Sequence, residues 1–266
     1  MKQIDLAFSP CPNDTFVFHA MLNNCIDTGP FKFTPHVHDV EVLNLVAAQG
    51  KYQITKLSFY AYMLLKDKYL MLNAGAALGY GCGPLLVAKN KDISVETARI
   101  AVPGEHTTAN LLLKLWRPDL KNIEVTGFDQ ILPGIESGRF DAGVIIHESR
   151  FTYQDYGCVK IVDFGEWWEF ETGLPIPLGC IAVRKDPEML EIKDEIERII
   201  RDSIRYAFDN RDASRQFIKQ HSQELDDDVI DSHIALYVND FSLELGDTGS
   251  KAIERLEEMA RCQKIL

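Results

Sequence analysis

The chain opens on an alternating run, Ile4-Asp5-Leu6-Ala7-Phe8, that predicts a strand. The run stops at Ser9-Pro10-Cys11-Pro12, and an apolar helical pattern follows with Asn13 and Asp14 as cap candidates. A second unit repeats the order, with a strand over Lys32 to His38 and a short helix over Val40 to Gln49 that begins near Asp39 and is ended by Gly50. Tyr52 to Leu57 reads as a third strand entering a helix over Phe59 to Leu65. After the glycine-rich Gly79 to Gly83, Pro84 to Ala88 reads as a buried strand, and the strand-turn-helix pattern restarts at Arg99 to Gly104. This second set runs through helix Thr108 to Trp116, strand Ile123 to Gly127, helix Gln130 to Ser137 and strand Asp141 to Ile146. A mixed aromatic stretch, Glu166 to Pro177, leads into strand Leu178 to Arg184.

From Pro187 onward the pattern is helical, with Ile192, Ile196, Ile199, Ile200, Ile204 and Phe208 spaced to face one core. No strand pattern remains for a third lobe, so these helices must return to the first sheet. The reading is therefore an α/β clamshell of two lobes joined by two crossings: residues 1–88 with 180–266, and residues 89–179, with a cleft between them. The alternation of strand and helix predicts mostly parallel sheets, whose ligand sites lie at the carboxyl ends of the strands.

Composition narrows the function classes. With 46% apolar and 26% charged residues, the chain is neither disordered nor fibrous. The net charge of −12 is spread along the chain without a Lys/Arg cluster, which argues against nucleic acid as a partner and leaves a carboxylate ligand to local donors. Six cysteines stand without a CxxC pair or a Cys/His cluster at metal-ligand spacing, so reduced thiols and no metal are expected. The N-terminus lacks the apolar core of a signal peptide, and the uncharged run Ala74 to Ala88 is too short and glycine-rich to span a bilayer. A cytoplasmic protein with no membrane association and no cofactor is the expectation.

Four segments carry candidate chemistry. Ser9 to Phe16 joins a strand end to a helix start, where free N–H groups, Ser9 and Asn13 face a ligand; the alternative is a rigid capped turn. Cys11 sits there between two prolines, but no histidine neighbour is implied for a nucleophile. The Gly79–Gly83 run precedes a strand, where a dinucleotide loop must follow one, so it signals close backbone approach, a hinge or a plain turn. Pro103 to Asn110 again joins strand to helix, and the hydroxyls of Thr107 and Thr108 with the first helical N–H groups form a candidate carboxylate cradle, unless Thr107 is only the N-cap. His106 reads as exposed rather than catalytic. His147 ends the apolar run Ala142 to Ile146, which sets an imidazole at a sheet's ligand-facing edge, where it is either a general base or a structural histidine. His19, His36, His38, His221 and His233 lie within apparent helices or edge strands and read as structural, and Trp167 and Trp168 either line a pocket or cover the lobe junction.

Six segments in order carry a resemblance: Ser9-Pro-Cys-Pro-Asn-Asp-Thr-Phe16, Lys56-Leu-Ser-Phe-Tyr-Ala61, Gly81-Cys-Gly-Pro-Leu-Leu-Val87, Val102-Pro-Gly with Thr107-Thr-Ala-Asn110, Ile145-Ile-His-Glu148, and Gly165-Glu-Trp-Trp with Leu174-Pro-Ile-Pro-Leu-Gly179. Together they resemble the 1,4-dihydroxy-6-naphthoate synthases of the futalosine route to menaquinone. The resemblance implies a type II periplasmic-binding-protein-like fold. It also implies a cofactor-free lyase that converts cyclic dehypoxanthinylfutalosine, a small-molecule carboxylate, to 1,4-dihydroxy-6-naphthoate. Carried over by motif, His147 is the implied base, and Lys56, Leu57, Ser58, Thr107 and Thr108 are the implied substrate contacts. The rivals are a chorismate dehydratase of the same pathway, which shares the clamshell, and a non-catalytic solute-binding protein. Oligomeric state is not legible. On an extended strand Glu148 is expected to point away from the cleft that His147 faces.

Overall fold

The computed structural model describes residues 1–222 and 226–266. Its strands are β1 (Lys2–Phe8), β2 (Phe31–Val37), β3 (Ile54–Ser58), β4 (Tyr69–Met71), β5 (Ala77–Gly79), β6 (Leu85–Ala88), β7 (Ile100–Val102), β8 (Ile123–Val125), β9 (Ala142–Ile145), β10 (Val159–Asp163) and β11 (Ile176–Arg184). One sheet has the order β2-β1-β3-β11-β4, with β5 also paired to β11; the other has the order β10-β6-β9-β7-β8. The chain thus leaves the first sheet between β5 and β6 and returns between β10 and β11.

Neither sheet is mostly parallel, contrary to the expectation from alternation. The pairs β1–β2, β1–β3, β7–β8 and β7–β9 are parallel, whereas β6 and β11 run antiparallel to every strand they pair with. These are the strands that follow the two crossings, and a chain arriving from the other lobe enters its sheet from the opposite end. Three short strands, β4, β5 and β10, had no clear period in the sequence. Much of the aromatic stretch is helical, Phe164–Thr172, with Asp163 capping its start.

The late helices do return to the first sheet. Ile196, Ile199, Ile200 and Ile204 of helix Pro187–Asp209 pack in one buried cluster with Ile4, Leu6 and Phe8 of β1 and Ile181 of β11. A larger cluster runs across both sheets, joining Leu57 and Phe59 to Leu86, Val144 and Trp168. At Gly83 the close-approach reading holds, because a Cβ there would run into the backbone N of Gly165; Gly81 takes a left-handed turn at φ 66°. Among the described residues no helix is long and apolar enough to cross a membrane.

Candidate active site

Two pairs of parallel strands, β1 with β3 and β7 with β9, are followed by segments that line a single cavity. Its empty volume is about 650 Å³ including the mouth, a size that suits a small organic ligand. Every site residue expected from sequence lines it: Ser9 and Asn13 after β1, Lys56, Leu57 and Ser58 at the end of β3, Thr107 and Thr108 after β7, and His147 after β9. Ala77, Cys82, Leu178, Gly179, His233 and Tyr237 complete much of the wall.

The first helix, Pro12–Leu22, starts with Pro12 at its first turn and Cys11 at the N-cap, so Asn13 and Asp14 are not its caps. They have other work. Asp14 accepts from Ser9 N at 3.1 Å and Ser9 Oγ at 2.7 Å, from Asn13 Nδ2 at 2.9 Å and from Lys56 Nζ at 2.6 Å. The Lys56 and Asp14 side chains are only 8% and 3% exposed, so the ion pair is buried, with the carboxylate held by four donors. Among the described residues Lys56 is the only Lys or Arg in the wall, and Asp14 already neutralises it.

That leaves backbone donors for an anion. Thr107 caps helix Thr108–Trp116: its hydroxyl accepts from Asn110 N and donates to Gly104 O. Thr108 Oγ1 donates to Leu178 O at 2.7 Å. Both hydroxyls are therefore engaged inside the protein, and the cradle expected from them narrows to the N–H groups of the helix's first turn, which have no intrahelical acceptor.

His147 stands two residues past the end of β9, at φ 57°. The left-handed backbone turns its ring into the cavity and costs on the order of 1–3 kcal/mol, which the surrounding contacts must hold. Phe128 meets the ring edge-on at 5.1 Å between centroids, and His233 stacks at 6.5 Å. Nδ1 lies 3.2 Å from Cys11 Sγ, across the cleft from the other lobe, while the buried Nε2 has no partner among the described residues. If Nδ1 carries the proton toward sulfur, Nε2 presents a lone pair, the state a general base needs. Burial, then the negative charge of Glu148, pushes the Cys11 thiol well above its ordinary range, so sulfur stays protonated and does not serve as a nucleophile.

Two sequence expectations change. A histidine does lie beside Cys11, 136 positions away in the chain. Glu148 stays out of the cavity wall as expected, yet its carboxylate remains close to the His147 ring, because His147 is left-handed and Glu148 already caps the short helix Ser149–Thr152, so strand alternation no longer applies. Cys11, His147 and Glu148 bring ligand atoms within 4.8 Å of one another.

His233 was read as structural, yet it lines the cavity. Asn13 Nδ2 faces Asp14, so Asn13 Oδ1 accepts from His233 Nε2 at 2.9 Å and Nδ1 holds a buried lone pair. Burial first, then His147 and Lys56, holds His233 well below the ordinary imidazole range and therefore neutral. Its only sequence signal was a histidine inside an apolar helical stripe, which is indistinguishable from a core position. His106 is half-buried and binds Glu41 at 3.1 Å. The tryptophans do not line the cavity; Trp168 is fully buried and donates to Pro175 O.

The chain matches the menaquinone biosynthesis family over residues 4–262. It is 45% identical to the 1,4-dihydroxy-6-naphthoate synthase of Thermus thermophilus over 96% of this chain and 93% of that protein. It is 40% identical to the synthase of that name from Streptomyces coelicolor over 99% and 94%. A crystal structure of a protein from Archaeoglobus fulgidus superposes with a TM-score of 0.94 at 38% identity, over 99% of this chain and 98% of that one. A Candida albicans gene product described as having the generic periplasmic binding protein fold superposes at a TM-score of 0.69 and 14% identity, over 100% and 91%, which speaks for the fold alone.

Proposed function

The chain belongs to the menaquinone biosynthesis family, and from that membership we propose that it is a 1,4-dihydroxy-6-naphthoate synthase whose base is His147. It is a lyase of menaquinone biosynthesis: cyclic dehypoxanthinylfutalosine loses a small sugar-derived fragment and its new ring aromatises. The observation that carries the assignment of roles is the His147 ring, aimed into the cavity with Nε2 unpaired while Nδ1 is held by Cys11.

The steps follow from what the residues offer. The substrate carboxylate is held by the first-turn N–H groups of Thr108 and Ala109, since the lysine of the wall is neutralised. His147 Nε2 removes the acidic proton beside the ketone, and the negative charge that develops on oxygen is met by polar groups of the wall such as Ser58 and the Ser9–Asn13 turn. Carbon–carbon cleavage then gives the fragment, and aromatisation makes the step downhill. Neutral His233 adds a buried acceptor that suits a substrate hydroxyl. The six cysteines are all free thiols, which fits a cytoplasmic site for the reaction.

The rival dehydratase reading is not favoured by the relatives, both of which are synthases. Incubation of the purified protein with cyclic dehypoxanthinylfutalosine and, separately, with chorismate is the test. Naphthoate from the first and no change in the second is expected. Dehydration of chorismate, or binding of either compound without turnover, would overturn the reading.

A further inference from the structure

Cys11 comes from the first lobe, and His147 and Glu148 come from the second. All three turn toward one point, with Sγ, a ring nitrogen and a carboxylate oxygen within 4.8 Å of one another and Sγ 3.2 Å from Nδ1. Cys11 is 3% exposed. Glu148 Oε2 is buried and has no hydrogen-bond partner among the described residues, and Oε1 makes only a long 3.5 Å contact to Ser222 Oγ. A buried carboxylate oxygen without a donor is costly, and a cation is one of the few things that satisfies it.

We propose that Cys11, His147 and Glu148 form an inhibitory site for a thiophilic divalent cation such as zinc. One sulfur, one imidazole and one carboxylate is a donor set for zinc, whereas magnesium and calcium select oxygen. Zinc bonds of about 2.3 Å to sulfur and about 2.0–2.2 Å to nitrogen and oxygen set tetrahedral ligand separations near 3.3–3.6 Å. The sulfur–nitrogen pair is already close to that spacing, and the carboxylate needs a shift of at most about 1.4 Å. On binding, the Cys11 thiol gives its proton to water, so thiolate, carboxylate and the 2+ ion sum to zero charge in the buried site. The fourth position stays open to water. The ion occupies the nitrogen that Cys11 otherwise holds, ties the two lobes together and withdraws His147 from proton transfer. Because ligand spacing of 136 residues followed by 1 is no motif, only the fold brings the set together.

Equilibrium dialysis with zinc and titration with cobalt test this independently of the reaction assigned above. The full-length chain carrying Cys25→Ser and Cys262→Ser, which removes the two thiols that are not buried, is the parent. One zinc per chain and a thiolate-to-cobalt charge-transfer band in the near ultraviolet are expected. Cys11→Ser should abolish the band, and Glu148→Gln, which keeps the shape, should weaken zinc binding at least tenfold. In a turnover assay zinc should inhibit the parent, and a chelator should restore it. Stoichiometric zinc that survives both substitutions, or no stoichiometric zinc in the parent, overturns the site.

Discussion

Removing either member of the buried Lys56–Asp14 pair should destabilise the protein far more than removing both. In Lys56→Met the Asp14 carboxylate loses its cation but keeps three donors, Ser9 N, Ser9 Oγ and Asn13 Nδ2. The expected cost is therefore the lower end of the range for breaking a buried pair, about 3 kcal/mol. Asp14→Asn leaves the ammonium without a counter-charge and turns one of the two acceptor oxygens into a donor facing Ser9 or Asn13, so the upper end of that range, about 5 kcal/mol, applies. In the double variant no uncompensated charge remains, and the summed losses should shrink by roughly 2–3 kcal/mol of coupling. Thermal and urea melts of the parent, both single variants and the double variant give the cycle. A 3 kcal/mol loss corresponds to a midpoint lower by roughly 6–12 °C for a chain of this size. Additive costs within about 0.5 kcal/mol would refute the claim that burial couples the two charges.

Two further outcomes follow from the cavity wall. Thr107→Val should lose an N-cap worth about 1 kcal/mol of stability while KM stays within about threefold, since the backbone N–H groups remain; a tenfold rise in KM at unchanged melting temperature would return the hydroxyl to the substrate. His233, with its folded pKa depressed, binds fewer protons than the unfolded chain below the ordinary imidazole value. Its contribution is therefore fully present above about pH 6.5 and is lost as the pH falls from there toward the folded pKa, by up to about 1.4 kcal/mol per pH unit. His19, depressed by burial, adds to the same acid-side slope. Melts from pH 7.5 to 5 should show the His233→Gln chain losing less stability than the parent, and parallel curves would contradict the assignment.

The strand-turn-helix units were legible because β1, β3, β7 and β9 each carry an apolar run closed by polar turn residues, and the carboxyl-end rule then gathered Ser9, Lys56, Thr107 and His147 into one cavity before any contact was known. Strands β4, β5 and β10 were not read from the sequence. The antiparallel direction of β6 and β11 is a consequence of the crossings, which alternation along the chain does not encode. Side-chain pairing between residues distant in the chain was equally hidden. Cys11 meets His147, and His233 meets Asn13, through contacts 136 and 220 residues apart. Glu148 stays out of the cavity wall, as alternation led one to expect, but the left-handed turn at His147 leaves its carboxylate within 4.8 Å of the ring, which alternation did not foretell.

The central claim is that His147 moves the proton that starts the cleavage. The most direct measurement is steady-state formation of 1,4-dihydroxy-6-naphthoate from cyclic dehypoxanthinylfutalosine by the parent and by a folded His147→Asn variant. The account predicts that kcat falls by roughly 10²–10⁴-fold with KM little changed, the scale for losing a positioned acid–base group. Near-parental turnover in the variant would contradict it.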